Sequence, residues 1–204
     1  MKYYPIHIDI KNKACLVVGG GRVAERKVMK LSKAGAAITV ISKELTPALT
    51  ELVHKSNVIF LQRQYCTDDV KGFFLVFAAT NNKALNKQIS AEAQQCNVMV
   101  NSLNGVDEGD FILPATCAVG DLHVGITTQG QSPALSAKLR RYFQSKLAVL
   151  TNQQVEEVAV LRKEMLEAQD DTIKEKKRRL MNELVDEMIA SIEAHDVNLN
   201  EEKI

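Results

Sequence analysis

Residues 19 to 24 read Gly19-Gly20-Gly21-Arg22-Val23-Ala24, a spacing that suits one kind of chemistry. In the pattern G-x-G-x-x-A the first glycine permits a tight turn and the second lets a pyrophosphate approach the backbone. The small residue at the end lets the following helix pack against the preceding strand. Phosphate oxygens would then meet the free N–H groups at a helix N-terminus. A purely structural glycine turn is the competing account, and the flanks decide against it. Leu16-Val17-Val18 enters the turn as an apolar strand, and a helix-forming run leaves it near the start of the chain.

The same pattern asks for an Asp or Glu at the end of the second strand, to bond the ribose hydroxyls. Here that strand ends in Ser42-Lys43, with Glu44 one place late. Ser42, the backbone or Glu44 is then left to hold the ribose, and Lys43 offers a flexible point charge to a 2′-phosphate. These residues alone leave NAD and NADP both open. A further pair, Thr80-Asn81, closes an apolar run at what should be the carboxyl edge of the sheet, where such folds bind ligands. The pair suits cofactor contacts and equally suits the cap of the next helix.

These residues must be positioned by alternating elements. Apolar runs at 14–18, 37–42, 57–61, 73–78 and 97–101 predict strands, and 22–34, 46–55 and 82–95 predict helices. Alternation at this spacing implies an α/β fold with a Rossmann-type parallel sheet and crossover helices on both faces. Two more β-rich runs flank Gly120-Asp121, and Ser132-Pro133 opens a capped helix. Beyond about residue 150 the pattern is helical. Leu180, Leu184, Met188 and Ile192, with Val185 and Ile189 beside them, predict one apolar stripe buried against this chain or a partner subunit. The expected division is a dinucleotide-binding domain over 1–113, a small β/α segment over 114–150 and a helical region over 151–204.

At 204 residues, 46% hydrophobic and with a net charge of +1, the composition is that of an ordinary soluble protein. Such a charge balance gives no steering toward nucleic acid or an anionic membrane. The apolar runs are too short to span a bilayer, and MKYYPIHIDI lacks a signal region, so a cytoplasmic protein is expected. Cys15, Cys66, Cys96 and Cys117 are widely spaced and read as free thiols. His123 sits in an alternating run and reads as an ordinary sheet residue; His7, His54 and His195 form no cluster, and no metal site is expected. The basic run 175–179 lies among acids on an amphipathic helix and reads as a solvated face.

Three stretches in order, VVGGGRVAERKVMKLSKAGAAITVISKELT, FLVFAATNNKALN and GITTQGQSPALSAKLRR, resemble the precorrin-2 dehydrogenase family. That family is the dehydrogenase/ferrochelatase part of siroheme synthases and also occurs as stand-alone proteins. The resemblance runs from about Tyr4 to Leu147, and a stand-alone member is expected here. It implies oxidation of precorrin-2 to sirohydrochlorin with NAD as cofactor, in a homodimer that shares a central β segment and helices. By match to the family, nucleotide contacts fall on Arg22, Val23, Lys43 and Glu44, alongside Gly19, Gly21, Thr80 and Asn81 from the residues themselves.

Dehydrogenation of a reduced tetrapyrrole sends a hydride to nicotinamide and a proton to a base or to water. The family's acid position, three residues after an Asn, is Asn104 in this sequence, an amide that takes no proton. Asp107, Glu108 and Asp110 are the nearby carboxylates, and Asp107 and Asp110 join Asn104 as catalytic candidates. Thr128, at the family's Ser position, and Ser132, Lys138 and Arg141 are candidates for binding the substrate's carboxylates; Arg140 lies beside them. Two alternatives stay open at this point. One adds Fe²⁺ insertion to the dehydrogenase, and the other is a non-catalytic NAD- or metal-binding module.

Overall fold

Every residue from Cys15 to Val18 is buried, and the reason is the place of β1 (Ala14–Val18) at the centre of a five-stranded parallel sheet. The strands are β1, β2 (Ala37–Ser42), β3 (Val58–Gln62), β4 (Leu75–Ala78) and β5 (Met99–Ser102), in the order β3-β2-β1-β4-β5. Successive side chains of a strand point to opposite faces. Cys15 and Val17 therefore join one apolar cluster, with Val40 of β2, Phe77 of β4 and Ala24, Val28 and Leu31. Leu16 and Val18 join a second, with Ile41, Val76, Ile89 and Ala93. Helices α1 (Arg22–Lys33) and α2 (Pro47–Lys55) supply the cover on the first face, and α3 (Lys83–Gln95) on the second. Such two-sided cover is why the strands read as near-continuous hydrophobic runs. The computed structural model describes residues 3–56 and 58–201.

The sequence places these elements to within a few residues. The expected strand at 73–78 begins only at Leu75, because Phe73 and Phe74 complete the turn after Val70. The expected strand at 97–101 is shifted to Met99–Ser102, since Asn97 takes a positive φ of 55° as the chain leaves α3. All four cysteines are free, and burial pushes the Cys15 thiol up to about 11.

The chain divides into two units between Ile112 and Leu113. In the second, β6 (Ala115–Val119) and β7 (Leu122–Ile126) form an antiparallel hairpin around Gly120, whose φ is +53°. Helices α4 (Pro133–Leu147), α5 (Asn152–Glu167) and α6 (Asp171–Glu201) follow. Cys117, Leu147, Leu150 and Met188 are its buried centre, with Leu184 and Ile192 packed around them. The apolar stripe expected on α6 is thus only partly realised. Leu180 and Ile189 are exposed, because Leu184, Met188 and Ile192 alone lie on the line that meets the hairpin and α4. The basic run at 175–179 is spent on ion pairs, Lys177 with Glu164 of α5 and Arg178 and Arg179 with Glu175.

One long polar side chain ties the sheet's far edge to α1. Lys27 donates to Asn101 Oδ1 on β5 and lies 5.0 Å from the centre of the Phe77 ring. Asn101 in turn donates to the Phe111 carbonyl, and the Phe77 and Phe111 rings meet edge to face. The loop from Ser102 to Phe111 is thereby pinned at both ends. Burial, then the charges of Lys30 and Arg26, lower the Lys27 ammonium to about 8.

This packing can be probed at two positions. Leu16→Ala, at a position with no solvent exposure, should lower the stability of the N-terminal unit by about 3 kcal/mol in urea unfolding. For Lys27 the folded value of about 8 lies below the unfolded value near 10.4, so between these the unfolded chain binds the extra proton. Stability of the native protein relative to Lys27→Met should therefore rise as pH goes from about 8 to about 10. Unfolding curves at several pH values, run in parallel on both proteins, measure this. A difference flat with pH would show that Lys27 titrates alike in both states.

Candidate functional site

The sheet order reverses direction between β1 and β4, and at the carboxyl ends of these strands lies a cavity of about 900 Å³. This is where open parallel sheets bind their ligands. Its floor is the glycine turn. Gly19 has a φ of +124°, and a Cβ there would stand 2.4 Å from the Ala79 carbonyl oxygen. A Cβ on Gly20 would stand 1.8 Å from the carbonyl oxygen of Glu44. Gly21 differs, for a Cβ there would meet nothing within 4 Å. It caps α1 without a side-chain hydrogen bond, so the first N–H groups of that helix point into open space.

One wall is the segment from Ser42 to Thr46, folded tightly onto the turn. Ser42 Oγ donates to the Glu44 carbonyl at 2.7 Å, and the Thr46 N–H donates to the Gly20 carbonyl at 2.9 Å. Thr46 also caps α2 by accepting from the Leu49 N–H, while its hydroxyl donates to Glu25 of α1 at 2.6 Å. The opposite wall is Ala79 to Asn82, where Asn82 caps α3 by accepting from the Leu85 N–H. Thr80 is held by Asn86, which accepts from its hydroxyl at 2.7 Å and donates to its carbonyl at 2.9 Å.

Of the nucleotide candidates, Gly19, Gly21, Lys43, Glu44, Thr80 and Asn81 line this cavity, and Arg22 and Val23 do not. Arg22 is exposed on the first turn of α1, and Val23 packs onto the apolar cluster beneath it. Sequence reasoning missed Arg63, Gln64 and Tyr65, which close the cavity beside the end of β3. The signal was present: β3 pairs in register with β2, so whatever follows Gln62 must stand beside Ser42. Tyr65 donates its hydroxyl to Glu92 of α3, and burial together with that bond drives its phenol well above the usual range.

Asn104 sits at the end of a polar chain that begins in the cavity wall. Asn86, fully buried, donates to Asn104 Oδ1 at 3.1 Å. Asn104 Nδ2 donates to the Lys83 carbonyl at 2.8 Å and to Glu108 Oε2 at 2.6 Å. Glu108 closes a short 3₁₀ turn, Val106–Glu108, on which Asp107 is exposed. Asp110 is engaged elsewhere. Its carboxylate accepts from the Val100 N–H at 2.9 Å and from Gln94 at 3.1 Å, which latches the loop to β5 and α3.

The remaining candidates belong to the second unit. Thr128 Oγ1 accepts from the Ser132 N–H at 2.9 Å and lies 3.3 Å from Ser136 Oγ. Ser132 caps α4 by accepting from the Leu135 N–H. Lys138 and Arg141 are exposed one turn apart on α4, and Arg140 donates to Gln144. His123 is exposed on β7.

Comparison with known proteins agrees with this geometry. Residues 6–115 match a family described as "Putative NAD(P)-binding". The siroheme synthase of Vesicomyosocius okutanii subsp. Calyptogena okutanii (strain HA) is 39% identical over 147 residues, 72% of this chain and 32% of that protein. Siroheme synthase 1 of Serratia proteamaculans (strain 568) is 35% identical over 156 residues, 76% of this chain and 33% of that protein. The chain thus spans about a third of the length of these curated relatives. The solved structure of SirC, a precorrin-2 dehydrogenase, has the same fold, with a TM-score of 0.73 at 24% identity over 94% of this chain and 100% of that one. With the glycine cradle at the switch point of its sheet and more than half its length matched, the chain belongs to this NAD(P)-binding family.

Proposed function

We propose that this protein is an NAD-dependent precorrin-2 dehydrogenase that makes sirohydrochlorin on the way to siroheme, as a cytoplasmic homodimer. The observation that carries the reading is the cradle at Gly21, where the one open Cα of the turn faces the uncapped start of α1. The siroheme synthase relatives and the SirC fold support the choice of substrate. No helix among the described residues is long and apolar enough to cross a membrane.

Gly19 and Gly21 would admit the pyrophosphate, and the backbone N–H groups of Arg22 and Val23 would bond it. In this way those two residues contribute although their side chains lie outside the cavity. Ser42, Lys43 and Glu44 would flank the adenosine ribose, with Thr80 and Asn81 on the opposite wall. NAD⁺, when bound, supplies the hydride acceptor. The substrate then still has a proton to lose, and Glu108 is the group we assign to take it. Asp110 is committed to the Val100 N–H, whereas Glu108 is joined to Asn104 and through it to the cavity wall. Asn104 would orient that carboxylate rather than act as the base.

Residues 114–150 are assigned to dimerisation and substrate binding, and 151–204 to the helical support of that segment. Thr128, Ser132, Lys138 and Arg141 would bind carboxylates of the tetrapyrrole, each exposed contact contributing about 0–1 kcal/mol. Leu122, Leu135, Tyr142 and Phe143 are exposed on the hairpin and α4, which suits a surface covered by a second copy.

Gly21→Val should fold normally, since its backbone is in the extended region and its surroundings are open. It should nevertheless weaken NAD⁺ binding in calorimetric titration by at least about tenfold, by filling the pyrophosphate's place. Unchanged affinity would remove the nucleotide from the cradle. Glu108→Gln should keep NAD⁺ affinity and slow NADH formation from precorrin-2, under anaerobic conditions, by about 10²-fold or more. Turnover within a few-fold of the native rate would mean that water takes the proton.

A further inference from the structure

An arginine stands at the rim of the cavity with its charge already taken. Arg63 follows Gln62, the residue that pairs with Ser42 where β2 ends. The adenosine ribose of a dinucleotide lies at the end of β2, and an arginine nearby is what accommodates the 2′-phosphate of NADP. Arg63 is thus placed on the strand adjacent to that spot, and it lines the cavity. Its two terminal nitrogens are both engaged by Asp69, at 2.6 and 2.7 Å, and Nη1 also donates to the Gln64 carbonyl.

The fork is held from the acid side. Asp69 Oδ2 accepts from the Cys66 N–H at 2.7 Å, and its side chain is 14% exposed against 41% for Arg63. Arg63, first through its hydrogen bonds, holds the Asp69 carboxyl below the usual range. Lys43 and Glu44, the other charges of this wall, offset one another. The planar guanidinium is the group best matched to a phosphate, and it is bidentate on a carboxylate instead. A 2′-phosphate here would have to displace Asp69 or meet its negative charge.

We propose that Asp69 is a specificity-determining residue: by holding Arg63 in a fork at the ribose end of the cavity, it turns the site away from a 2′-phosphorylated dinucleotide. The inference rests on the nucleotide reading above and adds to it the device that separates NAD from NADP. Removing Asp69 leaves an uncancelled guanidinium where the extra phosphate would lie.

The test is calorimetric titration of NAD⁺ and NADP⁺ into the native protein, Asp69→Ala, Asp69→Asn and the double variant Arg63→Ala/Asp69→Ala, with circular dichroism checking each fold. Asp69→Asn keeps an oxygen for the Cys66 N–H, so it carries the test if the alanine variant fails to fold. The native protein should prefer NAD⁺. Asp69→Ala should lower the ratio of NADP⁺ to NAD⁺ dissociation constants by at least about tenfold, and Asp69→Asn by less. The double variant should return toward the native ratio, because the gain belongs to Arg63. A ratio within about twofold of native in the folded single variants overturns the proposal, as does a gain that survives without Arg63. A native protein that binds neither nucleotide overturns the nucleotide reading itself, and this inference with it.

Discussion

Three backbone segments approach one another at Gly19 and Gly20 more closely than any side chain allows, and the site depends on that approach. With a Cβ at either position the Ala79 or Glu44 carbonyl would have to move, since the contacts would be 2.4 and 1.8 Å. The sheet itself supplies the alignment: Gly19 donates to the Ile41 carbonyl and Ala79 to the Val18 carbonyl, each at 2.9 Å. The glycines therefore extend the ladder of β1 past its last side chain, and bring the ends of β2 and β4 over the start of α1. Thr46 completes the arrangement by bonding the turn, its own helix and Glu25 of α1 at once. Gly21 needs no such freedom, which is why its open Cα is better explained by a ligand than by the fold.

A second set of contacts extends from the same place. Asn86 is buried with every polar atom paired, two ways to Thr80 and one to Asn104. A fully satisfied buried amide fixes the relative positions of its partners, since breaking any of its bonds leaves an unpaired group in a low dielectric. The wall of the cavity and the loop carrying Glu108 are thus set by one residue of α3. The carboxylates of that loop have divided their work. Asp110 anchors backbone, while Glu108 closes the chain of side chains that starts at Thr80.

How much of this was legible depends on whether a feature is local. The glycine turn, the buried strands and the caps at Thr46, Asn82 and Ser132 each depend on residues a few places apart, and periodicity exposes them. Arg63 and Tyr65 were overlooked because their place follows from the pairing of β3 with β2, which no local pattern states. The polar chain from Thr80 to Glu108 has the same cause, since it joins residues 28 positions apart through α3. On α6 the periodicity was real but too wide. A four-residue step drifts around a helix of 3.6 residues per turn, and only Leu184, Met188 and Ile192 stay on the packed line.

The hairpin of β6 and β7 shows the same limit from the other side. Its inward residues Cys117, Val119 and Val124 pack on Leu147 and Leu150, whereas Thr116, Ala118 and His123 face outward. A two-stranded hairpin leaves both of its edges unpaired and is marginal in water on its own. The hairpin thus has one face buried by its own unit and one exposed, with Leu135, Tyr142 and Phe143 exposed on α4. The homodimer we propose answers both needs, pairing or covering the strands and removing the aromatic side chains from water. It also explains why a segment with so few buried residues of its own lies between two regular parts of the chain. Its stability is supplied on assembly, so the groups assigned to the tetrapyrrole carboxylates become fixed only when two copies meet.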